Sequence, residues 1–185
     1  AALQLGREFE KVHLLTFCNG FCVRVNSSKR HVQMLREKFG HDKFKHSIVS
    51  AAGIFSSLRK GLLTEAFRAR SPLLFDLCCR LSMETAAVSY CLHEKIKYAS
   101  DGNNPHTQGE IFLQQARYLA VVKDFFARYG IQYVNPYAHL KSRDEVIKSL
   151  ESSGIKTGMG LLKALGISTQ LFTQPFCLWA PVAFL

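Results

Sequence analysis

Strand-like and helix-like segments alternate along this chain, and no other feature of the sequence limits its folding as much. Val12 to Phe17 (VHLLTF), His46 to Val49, Ile96 to Ser100 (IKYAS) and Ile131 to Val134 are short apolar or β-branched runs of strand length. Between them lie segments with helical spacing. These are Ser27 to Phe39, where Val32, Leu35 and Phe39 share a face before Gly40, then Ala51 to Leu63, Phe75 to Glu94, and Glu110 to Tyr129 closed by Gly130. Ser142 and Glu145 form a capping box that opens a helix to Ser153, with Gly154 past its end. Short connections between alternating elements predict an α/β fold, a parallel sheet with helices on both faces that binds ligands at the carboxyl ends of its strands.

Ala1 to Phe9 reads as the closing turns of a helix already under way, because it has no capping residue and runs straight into VHLLTF. A helix followed by a buried strand is the second half of a βαβ unit, so the first strand and its loop are expected upstream of Ala1. Residues 1–154 are expected to form a nucleotide-binding α/β domain. Residues 155–185 are read as a helical tail that returns Thr173 to Cys177 toward the sheet. There is no internal repeat and no low-complexity tract.

The length of 185 residues suits one domain of ordinary size, and 48% hydrophobic residues at a mean hydropathy of +0.02 can bury a real core. No apolar run reaches the roughly 18 residues of a membrane span. Lys and Arg outnumber Asp and Glu by 24 to 14, a net charge of +10, which favours polyanionic partners such as RNA or nucleotide phosphates. Arg59, Lys60, Arg68, Arg70 and Arg80 are the candidate phosphate contacts. Six irregularly spaced cysteines do not make a secreted disulfide scaffold, so a reducing, cytoplasmic compartment is expected.

In that compartment cysteines are packing or chemistry. Cys18 and Cys22 follow the first strand, Cys78 and Cys79 lie near the start of a long helix, and Cys177 sits in the tail. A helix start favours the thiolate through the dipole, and adjacent cysteines point about 100° apart, so at most one of Cys78 and Cys79 is expected to be the functional thiol. Cys91, deeper in the helix, is read as core. Cys22, Cys79 and Cys177 stand as an alternative ligand set for zinc or an iron-sulfur cluster. Asp101-Gly102-Asn103-Asn104 ends a strand with a glycine that lets a backbone approach and with donors and acceptors suited to a nucleotide. His13 is read as a core histidine, and His106 beside that loop is the one histidine considered for catalysis. No GxSxG, Walker, HExxH or GxGxxG motif occurs.

This order of features resembles the PP-loop ATP pyrophosphatases, of the adenine nucleotide alpha-hydrolase-like (HUP-type) fold, and within them the tRNA 2-thiouridine synthases. That family has a C-x-x-C-N helix start, then a strand ending in ATGHY, then S-Q-x-x-C-F. Here CCRLSMETAAVSYCLHEKIKYASDGNN and TQPFCLW stand in those places. The similarity spans about Ala1 to Trp179. It implies ATP with Mg as cosubstrate, adenylation of a carbonyl oxygen, and sulfur delivery by paired cysteines, Cys79 (or Cys78) as the first and Cys177 as the second. The adenine is then expected against Phe17, Cys18 and Asn19, with Asp101, Gly102 and Asn103 nearby. A sulfur donor protein, and tRNA or a small-molecule carbonyl as acceptor, are the implied partners, and the family's SGGxDS loop belongs upstream of Ala1.

Overall fold

The computed structural model describes residues 1–20, 22–23, 26, 28–61, 64–65, 68, 73–102, 115–136, 142–153 and 176–177. Its elements in chain order are α1 (Ala2–Glu8), β1 (Val12–Cys18), β2 (Cys22–Val23), α2 (Ser28–Phe39), a 3-10 turn (His41–Lys43), β3 (Phe44–Ser50), α3 (Ala52–Leu58), α4 (Leu73–His93), β4 (Tyr98–Ser100), α5 (Ala116–Ala127), β5 (Gln132–Val134), α6 (Arg143–Ser152) and β6 (Phe176–Cys177). The fold is mixed α/β. Its described strands form short two-stranded pairs where the sequence predicts one sheet.

Two of those pairs are parallel, as βα alternation requires. β1 lies beside β3 with Val12 opposite Phe44 and Cys18 opposite Ser50, and α2 makes the crossover. β4 lies beside β5 with Tyr98 opposite Gln132, and α5 makes that crossover. Each half has its own core: Leu3, Val12, Leu35 and Phe44 under α1 and α2, and Val88, Cys91, Val122, Phe126, Ile131 and Tyr133 between α4, α5 and β5.

The turns that return helices to strands follow from backbone chemistry. Gly40 closes α2 at φ +101° and Gly130 follows α5 at φ +71°. The Ile131 N–H bonds back to the Phe126 carbonyl at 3.1 Å, the long-range bond of a Schellman cap, and buries Ile131 beside Phe126. α4 ends the same way, with the Ile96 N–H on the Cys91 carbonyl at 2.8 Å, but here Lys95 takes the left-handed position at φ +56°. That bond consumes Ile96, so β4 begins at Tyr98 and not at the expected Ile96. The expected helix Ala51 to Leu63 stops at Leu58, and Gly61 has φ +79°. α5 begins at Ala116, and the earlier part of its expected span, residues 110–114, lies outside the described residues. The Glu145 N–H bonds to Ser142 Oγ at 3.2 Å, one half of the predicted capping box.

Gly6 has no room for a side chain. A Cβ there would meet the Phe44 ring at 2.7 Å, and Phe44 is 1% exposed. Gly6→Ala is expected to destabilise the chain by about 1–3 kcal/mol, although alanine favours helix, because overpacking outweighs propensity. A urea midpoint that rises on this substitution would contradict the packing described for α1.

Candidate functional site

α4 carries Cys78, Cys79 and Arg80 on its second described turn, and the last two face different strand ends. Cys79 Sγ accepts a hydrogen bond from Asn19 Nδ2 at 2.9 Å. Asn19 directly follows β1 and is 2% exposed. An amide N–H aimed at sulfur is the arrangement that supports negative charge there. Gly20 then turns the chain at φ +92°, a conformation that favours glycine, and leads into β2. β2 pairs antiparallel with β6, Cys22 opposite Cys177. The backbone of Cys177 therefore lies across from a residue three positions after Asn19, a span of at most roughly 11 Å along the chain.

Cys78 differs from the helix-start expectation. It is the sixth residue of α4, beyond the first turn where the dipole acts, and burial pushes its thiol up. Cys91 is a core residue, 5% exposed, its thiol also pushed up by burial. Among the described residues no group of three His, Cys, Asp or Glu side chains is placed to hold a metal ion.

Arg80 points to the other strand end and is not part of an exposed basic face. It bonds Asp101, just past β4, and its Nε stands 2.7 Å from Glu84 Oε1, off the hydrogen-bond direction. Its side chain is 21% exposed and Glu84 is 9% exposed. Burial opposes the guanidinium charge, but the carboxylates of Glu84 and Asp101 outweigh it and raise its pKa. Burial pushes the Glu84 carboxyl up, with Arg80 opposing. Tyr133 is raised by burial and by the Asp101 carboxylate, and burial pushes Tyr118 up to about 12.

These two phenols carry a pH prediction. Above the ordinary tyrosine value of 10.0 the unfolded chain loses protons that the folded chain keeps, so the folded state binds more protons and stability falls as pH rises. Phenolate absorbance from Tyr118 and Tyr133 is expected to appear together with loss of helical circular dichroism. Their ionisation within an intact fold would contradict the burial described.

The remaining candidates are dispersed. Phe17 and Cys18 end β1, both half-buried, and Gly102 is exposed after Asp101. Arg59 and Lys60 are exposed beyond α3, and Arg68 is exposed with Glu65 at 3.7 Å. Asn103, His106 and Arg70 lie outside the described residues. His13 is half-buried, its Nδ1 3.1 Å from Tyr90 Oη. Sequence reasoning missed the Glu84, Tyr118 and Tyr133 surroundings of Arg80. It also missed His46, whose Nε2 lies 3.0 Å from Thr16 Oγ1 and 3.3 Å from Ser28 Oγ. The spacing of Arg80 and Glu84, four apart on a helix, was the one signal available for these.

A cavity of about 600 Å³ lies between the two parallel pairs, and Phe17, Ser100, Asp101 and Gly102 line its carboxyl-end mouth. No family model, no curated protein and no solved structure matches this chain. No helix among the described residues is long and apolar enough to cross a membrane.

Proposed function

We propose that the chain is the core of an ATP-dependent adenylating enzyme of the PP-loop type with a HUP-type sheet, acting as a sulfurtransferase on an RNA base or a small-molecule carbonyl. The observation that carries this reading is the meeting of cysteine-bearing segments at one strand end: Cys79 on Asn19, and Cys177 in register with Cys22 just beyond. A cavity of about 600 Å³, the size of a small-ligand site, has Phe17, Ser100 and Gly102 in its lining at the carboxyl ends of β1 and β4. Asp101 serves there mainly through Arg80.

In this mechanism the carbonyl oxygen of the acceptor attacks the α-phosphorus of ATP and releases pyrophosphate, and Mg bound with ATP offsets the phosphate charge. A donor protein leaves a persulfide on Cys177. Its terminal sulfur attacks the activated carbon, and AMP departs with the C–O bond electrons. The Cys79 thiolate then attacks the Cys177 sulfur, which leaves the transferred sulfur on the product and a Cys79–Cys177 disulfide on the protein. A cellular dithiol reduces that disulfide with two electrons. The Asn19 amide supports the Cys79 sulfur as an anion.

ATP–pyrophosphate exchange by the purified protein tests the adenylation step. The expected result is Mg-dependent exchange that requires a carbonyl acceptor; release of ADP and phosphate overturns it. The same three cysteine positions favour one other reading, a zinc or iron-sulfur module held by Cys22, Cys79 and Cys177. A brown, iron-loaded protein without exchange would select it.

A further inference from the structure

Cys22 takes no part in the sulfur route proposed above, yet the backbone sets it directly across from Cys177. β2 and β6 run antiparallel, with Cys22 opposite Cys177 and Val23 opposite Phe176, and among the described residues each strand pairs with the other alone. Residues directly opposed on an antiparallel ladder have Cα atoms roughly 4.5 or 5.5 Å apart, according to whether the pair exchanges hydrogen bonds. Both values fall inside the range of about 4.4–6.8 Å that a disulfide spans. Opposed residues also lie on the same face of the ladder, whereas a neighbour one position along lies on the other face. The register therefore meets both backbone conditions for a disulfide.

The other cysteines are placed differently. Cys91 is buried between α4 and β5, Cys18 stands opposite Ser50 in the β1–β3 ladder, and Cys79 Sγ lies on the Asn19 amide. Cys18 precedes the left-handed turn at Gly20 and Cys22 follows it, so the two belong to different ladders. A two-stranded ladder is marginally stable by itself, and a covalent bond across this one would fasten the Cys177 segment to the chain that leaves β1.

We propose that Cys22 and Cys177 are a redox pair, which closes as a cross-strand disulfide under peroxide and so withdraws Cys177 from sulfur delivery. In a reducing compartment, disulfides serve as transient redox sensors rather than as permanent braces. Hydrogen peroxide oxidises the Cys177 thiolate to a sulfenic acid and releases hydroxide. The Cys22 thiolate attacks that sulfur, the S–S bond forms as the S–O bond breaks, and the departing hydroxide takes up a proton as water. A cellular dithiol returns two electrons by thiol exchange, frees both cysteines and becomes a disulfide itself. Cys177 holds one partner at a time, so while bonded to Cys22 it neither carries a persulfide nor meets Cys79. The crosslink stands on the register alone, and its effect on sulfur delivery rests on the function proposed above.

Peroxide at a few equivalents, followed by alkylation and mass mapping of the purified protein without reduction, tests the pair. The expected product joins the Cys22 peptide to the Cys177 peptide and is absent after dithiothreitol and in Cys22→Ser. Cys22→Ser combined with Val23→Cys moves the thiol to the other face of the ladder, and is expected to lower the yield of crosslink to Cys177 by about 10-fold or more. The crosslinked parent protein is expected to lose sulfur transfer by about 10-fold or more until dithiothreitol is added, and to keep ATP–pyrophosphate exchange. A Cys79–Cys177 crosslink as the main product, both thiols still open to alkylation after peroxide, equal yield from the shifted cysteine, or undiminished transfer by the crosslinked protein would each overturn the proposal. A Cys22–Cys177 crosslink in a protein that transfers no sulfur in either state would instead overturn the function above and leave the redox pair standing.

Discussion

Arg80→Ala is expected to cost about 3–5 kcal/mol of folding stability, enough to leave a domain of ordinary stability barely folded. The reason is what stays behind. Glu84 is 7% exposed overall and Asp101 is half-buried, and neither carboxylate can reach water freely once the guanidinium is gone. Breaking a buried pair from one side strands the partner's charge, which costs more than the pair itself contributes. Glu84→Gln in the same background removes one stranded charge, so the double variant should lose less than the sum of the singles. The pH dependence has a definite sign. Without Arg80 the folded state holds the Glu84 proton more tightly than the unfolded state does, so stability falls as pH rises above the ordinary glutamate value of 4.5. Urea midpoints with unchanged m-values would measure both effects. A loss below about 1 kcal/mol would mean the site is far wetter than described.

Cys79→Ser and Cys177→Ser are each expected to abolish sulfur transfer, a fall of at least about a thousand-fold, while ATP–pyrophosphate exchange survives. The split follows from the proposed order of steps, because neither thiol takes part until the acceptor carries AMP. Cys91→Ser should leave turnover intact and act on stability, since Cys91 sits in the core between α4 and β5. Asn19→Leu adds a control of similar size that removes the amide aimed at Cys79. It should slow sulfur transfer and leave exchange near the parent value. Transfer that persists in both cysteine variants would remove the covalent route.

The element order was readable because it depends on local signals. Apolar runs of strand length marked β1, β3 and β5, and Gly40 and Gly130 marked where α2 and α5 end, since their left-handed φ is cheap only for glycine. Lys95 fills the same role after α4 without any such mark, so the start of β4 was misjudged. β2 and β6 are two residues each and are defined only by each other, which no local pattern reveals. The site was legible as residue types and not as surroundings. Arg80 looked like one more cation on a basic chain, yet its pairing with Asp101 spans two elements that meet only in the folded molecule. Asn19 drew notice for its place after β1, while its bond to Cys79 depends on how α4 crosses that strand end.

The adjacency of Cys79 and Arg80 ties two ends of the site into one lever. One peptide unit of α4 fastens the thiol to the segment after β1 and the guanidinium to the segment after β4. Any occupant that draws Asp101 outward pulls on the same helical turn that aims the sulfur, so events at one wall are felt mechanically at the other without any intervening loop.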